Sequence, residues 1–179
     1  PAAAFNRKQV AAVDILPLVE GDQVRDWGVN FRDAILTPYN DDGLKPLDAM
    51  PSAQRWLWPT RTVLGNRAAF GNVTYFEEGR PWWGWHQINV SRLRYPLAIT
   101  FGEIATHNHF VLDRGGKVFK QTAPVIKLPA GASEDEHLGL LGLLNSSVAC
   151  FWLKQVCHNK GSTVDQHGAR QRTAPFEDF

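Results

Sequence analysis

Apolar and polar positions alternate in two rhythms along the 179 residues. In the last third, Leu138, Leu140, Leu141, Leu143 and Leu144 occupy nearly every side of a short helix. Val148, Phe151, Trp152 and Val156 then follow at helical spacing. Ser133 with Glu136 three residues later predicts a capping box, and Glu134 and Asp135 add negative charge to the first turn. Asn145-Ser146-Ser147 interrupts the run with capping residues, which predicts a break and a second helix, and Gly161 is a natural stop. A helix apolar on all sides predicts burial, so this pair is expected to close the core. Asn145, Lys154 and Gln155 punctuate it too often for a membrane span.

Upstream the rhythm is that of short strands. Residues 1–22 read as a lead-in, with Pro17 breaking any helix. Gln23–Val29 and Ala34–Tyr39 are strand candidates, and Asn40-Asp-Asp-Gly43 is a turn. Met50–Asn66 is helical in flavour, split at Pro59, with Arg55, Arg61 and Arg67 projecting from it. Arg61 and Arg67 suit either an anion-facing surface or pairing with carboxylates of the first third. Ala68–Gly79 reads as loop-like, with a short strand over Val73–Phe76 as the alternative, and Trp82, Trp83 and Trp85 crowd a segment that, as a strand, would turn Trp83, Trp85 and Gln87 to one face. Tyr95–Ile104 and Asn108–Asp113 are strands, and Arg114-Gly-Gly-Lys117 a hairpin turn into Val118-Phe119. The expected fold is therefore α+β: a twisted, mostly antiparallel sheet over residues 23–129 packed on buried C-terminal helices. Residues 23–161 form the domain proper, and 162–179 an exposed polar loop or tail of the same domain.

Net charge is +1, which gives no global argument for nucleic acid. Local balance says more. Lys plus Arg against Asp plus Glu is 6 to 8 over residues 1–60, 8 to 4 over 61–120, and 5 to 6 over 121–179. The basic excess sits in the middle third, a hint of an anion-facing surface. Cys150 and Cys157 lie about two helical turns apart, a poor disulfide spacing, and suit buried thiols in a reducing cytoplasm. The start Pro1-Ala-Ala-Ala-Phe5 lacks the basic and long apolar parts of a secretory signal, and the two ends read as those of a fragment.

Several chemistries have no motif here: there is no Gly-rich phosphate loop, His-Glu-x-x-His helix, Cys-x-x-Cys pair or Gly-x-Ser-x-Gly elbow. Asn-Pro-Pro-aromatic, which grips the target amine in amino-methyltransferases, is missing as well. His107 and His109 would share a strand face, but two ligands without a third make an incomplete metal site. No cofactor or metal is expected in this chain.

Several ordered segments together resemble a known family. They are Val24-Arg-Asp-Trp27, Leu57-Trp-Pro-Thr-Arg61 with Asn66-Arg67, and Trp82-Trp-Gly-Trp-His-Gln87. Further on come Ile104-Ala-Thr-His-Asn-His-Phe-Val-Leu-Asp-Arg-Gly-Gly-Lys117, Leu143-Leu-Asn-Ser-Ser147, Cys150-Phe-Trp-Leu-Lys154 and Asn159-Lys-Gly161. Over about Val24 to Phe179 the set resembles the C-terminal half of the adenine-specific DNA methyltransferases of phage-growth-limitation (BREX-type) defence systems, PglX-like proteins. The Leu-Leu-Asn-Ser junction is also similar to target recognition domains of type IIG and type I restriction–modification enzymes. The resemblance implies a DNA target-recognition domain, with S-adenosylmethionine and the catalytic residues in a catalytic methyltransferase domain of the same parent chain. The expected partner is double-stranded DNA, beside that catalytic domain and other proteins of the defence system, with no membrane and no catalysis by this chain alone.

Base reading asks for Arg or Lys at guanine and Asn or Gln at adenine, on a rigid support. Arg80, His86, Gln87, Asn89, Arg92 and Arg94 flank the tryptophans and form the first candidate group. Lys160, Arg170 and Arg172, with Gln166, His167 and Gln171, form the second, on the polar tail. Two other classes remain: a protein-interaction module presenting tryptophans, and a metal-dependent nuclease built on His107 and His109.

Overall fold

In the computed structural model, the described residues are 9–68, 71–86, 88 and 96–159, with the strand Glu177–Asp178. The strands are β1 (Ile15–Val19), β2 (Val24–Arg25), β3 (Gly28–Val29), β4 (Asp33–Leu36), β5 (Tyr39–Asn40) and β6 (Gly43–Leu44). After them come β7 (Ala98–Thr100), β8 (Ile104–Ala105), β9 (Val111–Asp113), β10 (Val118–Phe119), β11 (Val125–Ile126), β12 (His158–Asn159) and β13 (Glu177–Asp178). The helices are α1 (Pro51–Leu57), α2 (Arg61–Gly65), α3 (Glu134–Leu144) and α4 (Ser147–Val156). The fold is α+β with several small, mostly antiparallel sheets. Two compact units interleave along the chain, residues 1–16 with 33–93 and residues 17–32 with 94–179.

The first unit is built around α1. Ala53, Trp56 and Leu57, at i, i+3 and i+4, turn inward against Val10, Leu36, Met50 and Trp83. Pro51 opens the helix where its missing N–H costs nothing. Pro59 falls in a 3₁₀ turn, Trp58–Thr60, so the expected split at this proline appears as a bend into α2. The Asn40–Gly43 turn is present as well, closing the β5–β6 hairpin. Buried Asp14, just before β1, pairs with Lys45, just after β6.

In the second unit β7 is central, antiparallel to β11 and β9, with Ile99 and Thr100 fully buried. A second core gathers Val19, Val24 and Ala123 beneath Val29, Val111 and Phe119. The Arg114–Lys117 turn forms, but its exit strand does not return along β9. β10 instead runs parallel to β1, with Leu18 opposite Val118 and Val19 opposite Phe119. At Gly21 the backbones nearly touch, since a Cβ would lie 2.1 Å from the Thr122 carbonyl oxygen.

Three expectations change. Gln23–Val29 is a hairpin, not one strand. The tryptophan segment is turns and not a strand, whereas Val73–Phe76 lies in the expected loop, tied down by an isolated bridge between Ala68 and Thr74. The C-terminal helices are present with their caps, yet they are largely uncovered: only His137 is buried in α3 and no residue is buried in α4. Leu143, Val148, Phe151 and Trp152 are more than half exposed. Cys150 and Cys157 are half-buried rather than buried.

What α3 and α4 do instead is set by their junction. Asn145 Nδ2 donates to the Phe110 carbonyl and its Oδ1 accepts the Phe110 N–H, both at 2.9 Å. Asn108 Nδ2 donates in return to the Leu144 and Ser146 carbonyls at 2.6 and 3.1 Å. The Leu-Leu-Asn-Ser junction and the His-Asn-His-Phe segment thus clasp each other through two amides.

Candidate nucleic-acid interface

Of the candidate base-reading residues, Arg80 and His86 are described. Gln87, Asn89, Arg92, Arg94, Lys160, Arg170 and Arg172 lie outside the described residues, as do Gln166, His167 and Gln171. Both described residues lie in the first unit, and both gather on Tyr75. The Arg80 guanidinium sits 5.5 Å from the Tyr75 ring centre and ion-pairs with Glu78. The Tyr75 hydroxyl and His86 Nδ1 are hydrogen-bonded at 3.0 Å. Arg80 and His86 are exposed on this buried tyrosine.

The tryptophans beside them form the support. Trp82 is buried, edge-on to Trp83 and Trp58. The indole N–H of Trp83 donates to the Lys45 carbonyl at 3.0 Å, and that of Trp85 to the Leu36 carbonyl at 3.1 Å. The Trp85 backbone N–H donates to the Tyr39 hydroxyl at 2.8 Å. Burial raises the Tyr39 phenol above its ordinary pKa, although that hydrogen bond opposes the shift.

Arg67 stitches this support to α2. Its Nε donates to the Leu64 carbonyl at 2.7 Å, and its Nη2 to the Trp82 and Gly84 carbonyls, both at 2.9 Å. Its plane lies 4.5 Å from the Tyr75 ring centre. The open choice for Arg67 is thereby resolved: it binds backbone carbonyls, not carboxylates.

Arg61 differs. It lies 5.4 Å from the Trp58 ring centre and 5.2 Å from that of Phe76, and it is exposed. Trp58 is 54% exposed and walls a hollow of about 310 Å³ with Gln54, Arg55 and Pro59. Phe76 rests directly on Gly65, where a Cβ would fall 2.1 Å from its ring, so glycine there lets the aromatic lie flat on α2. Among the described residues neither Arg55 nor Arg61 forms an ion pair. Glu77, next to Phe76 in the chain, accepts the Thr74 backbone N–H, which lowers its pKa.

The surface therefore carries cations flat on aromatic rings, a combination suited to phosphates and to base faces. Sequence reasoning placed Arg80 and His86 on it but missed Trp58, Phe76 and Tyr75. One signal for part of it was available: Trp58 and Arg61 stand three apart in a helical stretch, a spacing that puts them on one face.

His107 and His109 stand with ring centres 6.4 Å apart. Among the described residues no group of three His, Cys, Asp or Glu side chains is placed to hold a metal ion. Among them, too, no helix is long and apolar enough to cross a membrane.

No family model matches the chain. Against individual proteins, 176 residues, 97% of the chain, are 49% identical to the adenine-specific methyltransferase PglX of Streptomyces coelicolor. The chain spans only 14% of the length of that protein, so what it is similar to is one segment of a much longer methyltransferase.

Proposed function

We propose that this chain is the DNA target-recognition part of a PglX-like adenine-specific methyltransferase, gripping and reading duplex DNA around the adenine to be modified. The observation that carries the reading is exposed Arg61 over Trp58 and Phe76 and exposed Arg80 over Tyr75, with Arg55 beside Trp58 at the hollow. The guanidinium groups of Arg55 and Arg61, without an ion pair among the described residues, supply salt-dependent phosphate affinity, and the aromatic floor beside them supplies orientation. The extended similarity to PglX supports the same reading from a second side. Methyl transfer and S-adenosylmethionine binding then belong to the remainder of the parent enzyme, which also holds the DNA and strengthens this chain's own modest grip.

Fluorescence anisotropy with duplex DNA at low salt tests this. The double substitution Arg55→Ala, Arg61→Ala is expected to weaken binding and to reduce the slope of log affinity against log salt by about 2, near 0.9 for each lost phosphate contact. Unchanged affinity and slope would remove the interface from consideration.

A second reading has its own observation. Val148, Phe151, Trp152 and Val156 form an open apolar face along α4, as a protein-interaction module would present. Trp152→Ser is the matching test: loss of association with other defence-system proteins, with DNA affinity intact, would favour that class.

A further inference from the structure

The β2–β3 hairpin turns on two residues, Asp26 and Trp27, with Arg25 opposite Gly28. Both turn residues have positive φ, 51° and 58°, the geometry of a type I′ turn. Asn-Gly or Asp-Gly fits such a turn without strain, and Asp26 tolerates its place. A tryptophan at the second position does not. Its Cβ meets the following carbonyl, a cost that burial of the ring would ordinarily offset. Here it does not, because Trp27 is 63% exposed.

The rest of the hairpin is firmly held, so the turn is not loose. Val24 is fully buried in the second core, Arg25 Nη1 donates to the Val24 and Gly21 carbonyls at 2.8 and 3.3 Å, and the Asn30 N–H donates to the Gln23 carbonyl at 2.9 Å. Among the described residues, the ring contact that steadies Trp27 is an edge-on approach to His109, at 5.7 Å and 69°. His109 lies beside exposed His107, and both are fixed in place by Asn108 and the clasp it shares with Asn145. Val24–Trp27 and His107–Phe110, distant in sequence, therefore meet at one aromatic point within the second unit.

A strained residue that stays exposed on rigid supports signals a function in its side chain. We propose that Trp27 is a stacking contact for an unstacked nucleobase of bound DNA, with His109 setting the tilt of its indole. The flanking groups favour a base over a protein partner. Arg25, Asp26, Gly28 and His109 make a mostly polar setting that does not enclose a hydrophobic anchor, whereas stacking needs only the open indole face. The proposal rests on the DNA-recognition reading, though on different residues from Arg55, Arg61 and Arg80.

The test compares wild type, Trp27→Gly and Trp27→Phe by anisotropy at low salt, using a matched duplex and the same duplex with one unpaired base, together with thermal melting. Wild type is expected to prefer the duplex with the unpaired base. Trp27→Gly is expected to melt about 2–4 °C higher, because glycine relieves the turn. It should also lose roughly fivefold to a hundredfold in affinity for the duplex with the unpaired base while keeping most of its matched-duplex affinity. Trp27→Phe should retain most of the preference. Equal binding of both duplexes by wild type, a preference that survives in Trp27→Gly, or a lower melting temperature for that variant would overturn the stacking role alone. Failure of wild type to bind either duplex would overturn the DNA-recognition reading and this proposal with it.

Discussion

Arg67 shows how much one side chain can organise. Its planar fork reaches three carbonyls on two segments and covers the Tyr75 ring, so α2 and the tryptophan turn share one fastener. Hydrogen bonds from a charged donor contribute more than neutral ones, and carbonyls left behind in a half-buried position have no substitute. Arg67→Ala is expected to cost about 2–4 kcal/mol in denaturant unfolding. Arg67→Lys should recover little of it, since an ammonium cannot reach Leu64, Trp82 and Gly84 together. The sequence marked Arg67 only as a projecting cation. Its partners are backbone carbonyls, which every residue carries and no composition reveals, so this role was not legible in advance. Arg80 and His86 were legible because they stand next to the tryptophans in the chain itself.

Among the elements, the α3 start was read correctly down to its atoms. The Ser133 Oγ accepts the Glu136 N–H at 3.2 Å, and the Glu136 carboxylate accepts the Ser133 N–H at 2.7 Å. Those hydrogen bonds hold the Glu136 carboxyl below its ordinary pKa. The folded pKa is depressed, so the contribution is present above the unfolded value and is lost as pH falls through the folded one. The protection factors of first-turn amides in α3, exchange rates corrected for the intrinsic pH dependence, are therefore expected to fall at pH below the ordinary glutamate range, and less so in Glu136→Gln, which keeps an acceptor but does not titrate.

The α3–α4 junction was read as a break, which it is, but its reason lay elsewhere. Asn145 acts as a strand-like partner to Phe110, whose buried N–H and carbonyl would both be orphaned by Asn145→Ala, at a cost of about 2 kcal/mol in chemical denaturation. The leucine run misled for a related reason. Apolar residues around a whole helix record that it tends to be covered, not which surface covers it, and Leu143 is left 62% exposed.

For the molecule as a whole, the mixed class and the mostly antiparallel pairing followed from strand-length apolar runs separated by turn residues, but the single sheet expected over residues 23–129 is divided into several small ones. The division into two units did not follow. No linker composition separates them, and the parallel pairing of β1 with β10 joins positions a hundred residues apart without any local cue. The candidate interface straddles the same divide in legibility: its cations could be counted, but the rings beneath them are assembled by α2, by the turn around Tyr75 and by the tryptophan support, three stretches with nothing in common as text.

The interleaving also bears on how such a protein can diversify. One unit owns 1–16 and 33–93, the other 17–32 and 94–179, so no single crossover exchanges either unit whole while sparing its neighbour. A chimera joined after residue 32 or after residue 93 would force a short segment from one ancestor to fit a core inherited from another. At Gly21, where backbone abuts backbone, there is no slack to absorb a mismatch. Surface changes in such a protein are therefore expected to arise by point substitutions on a retained scaffold rather than by shuffling modules.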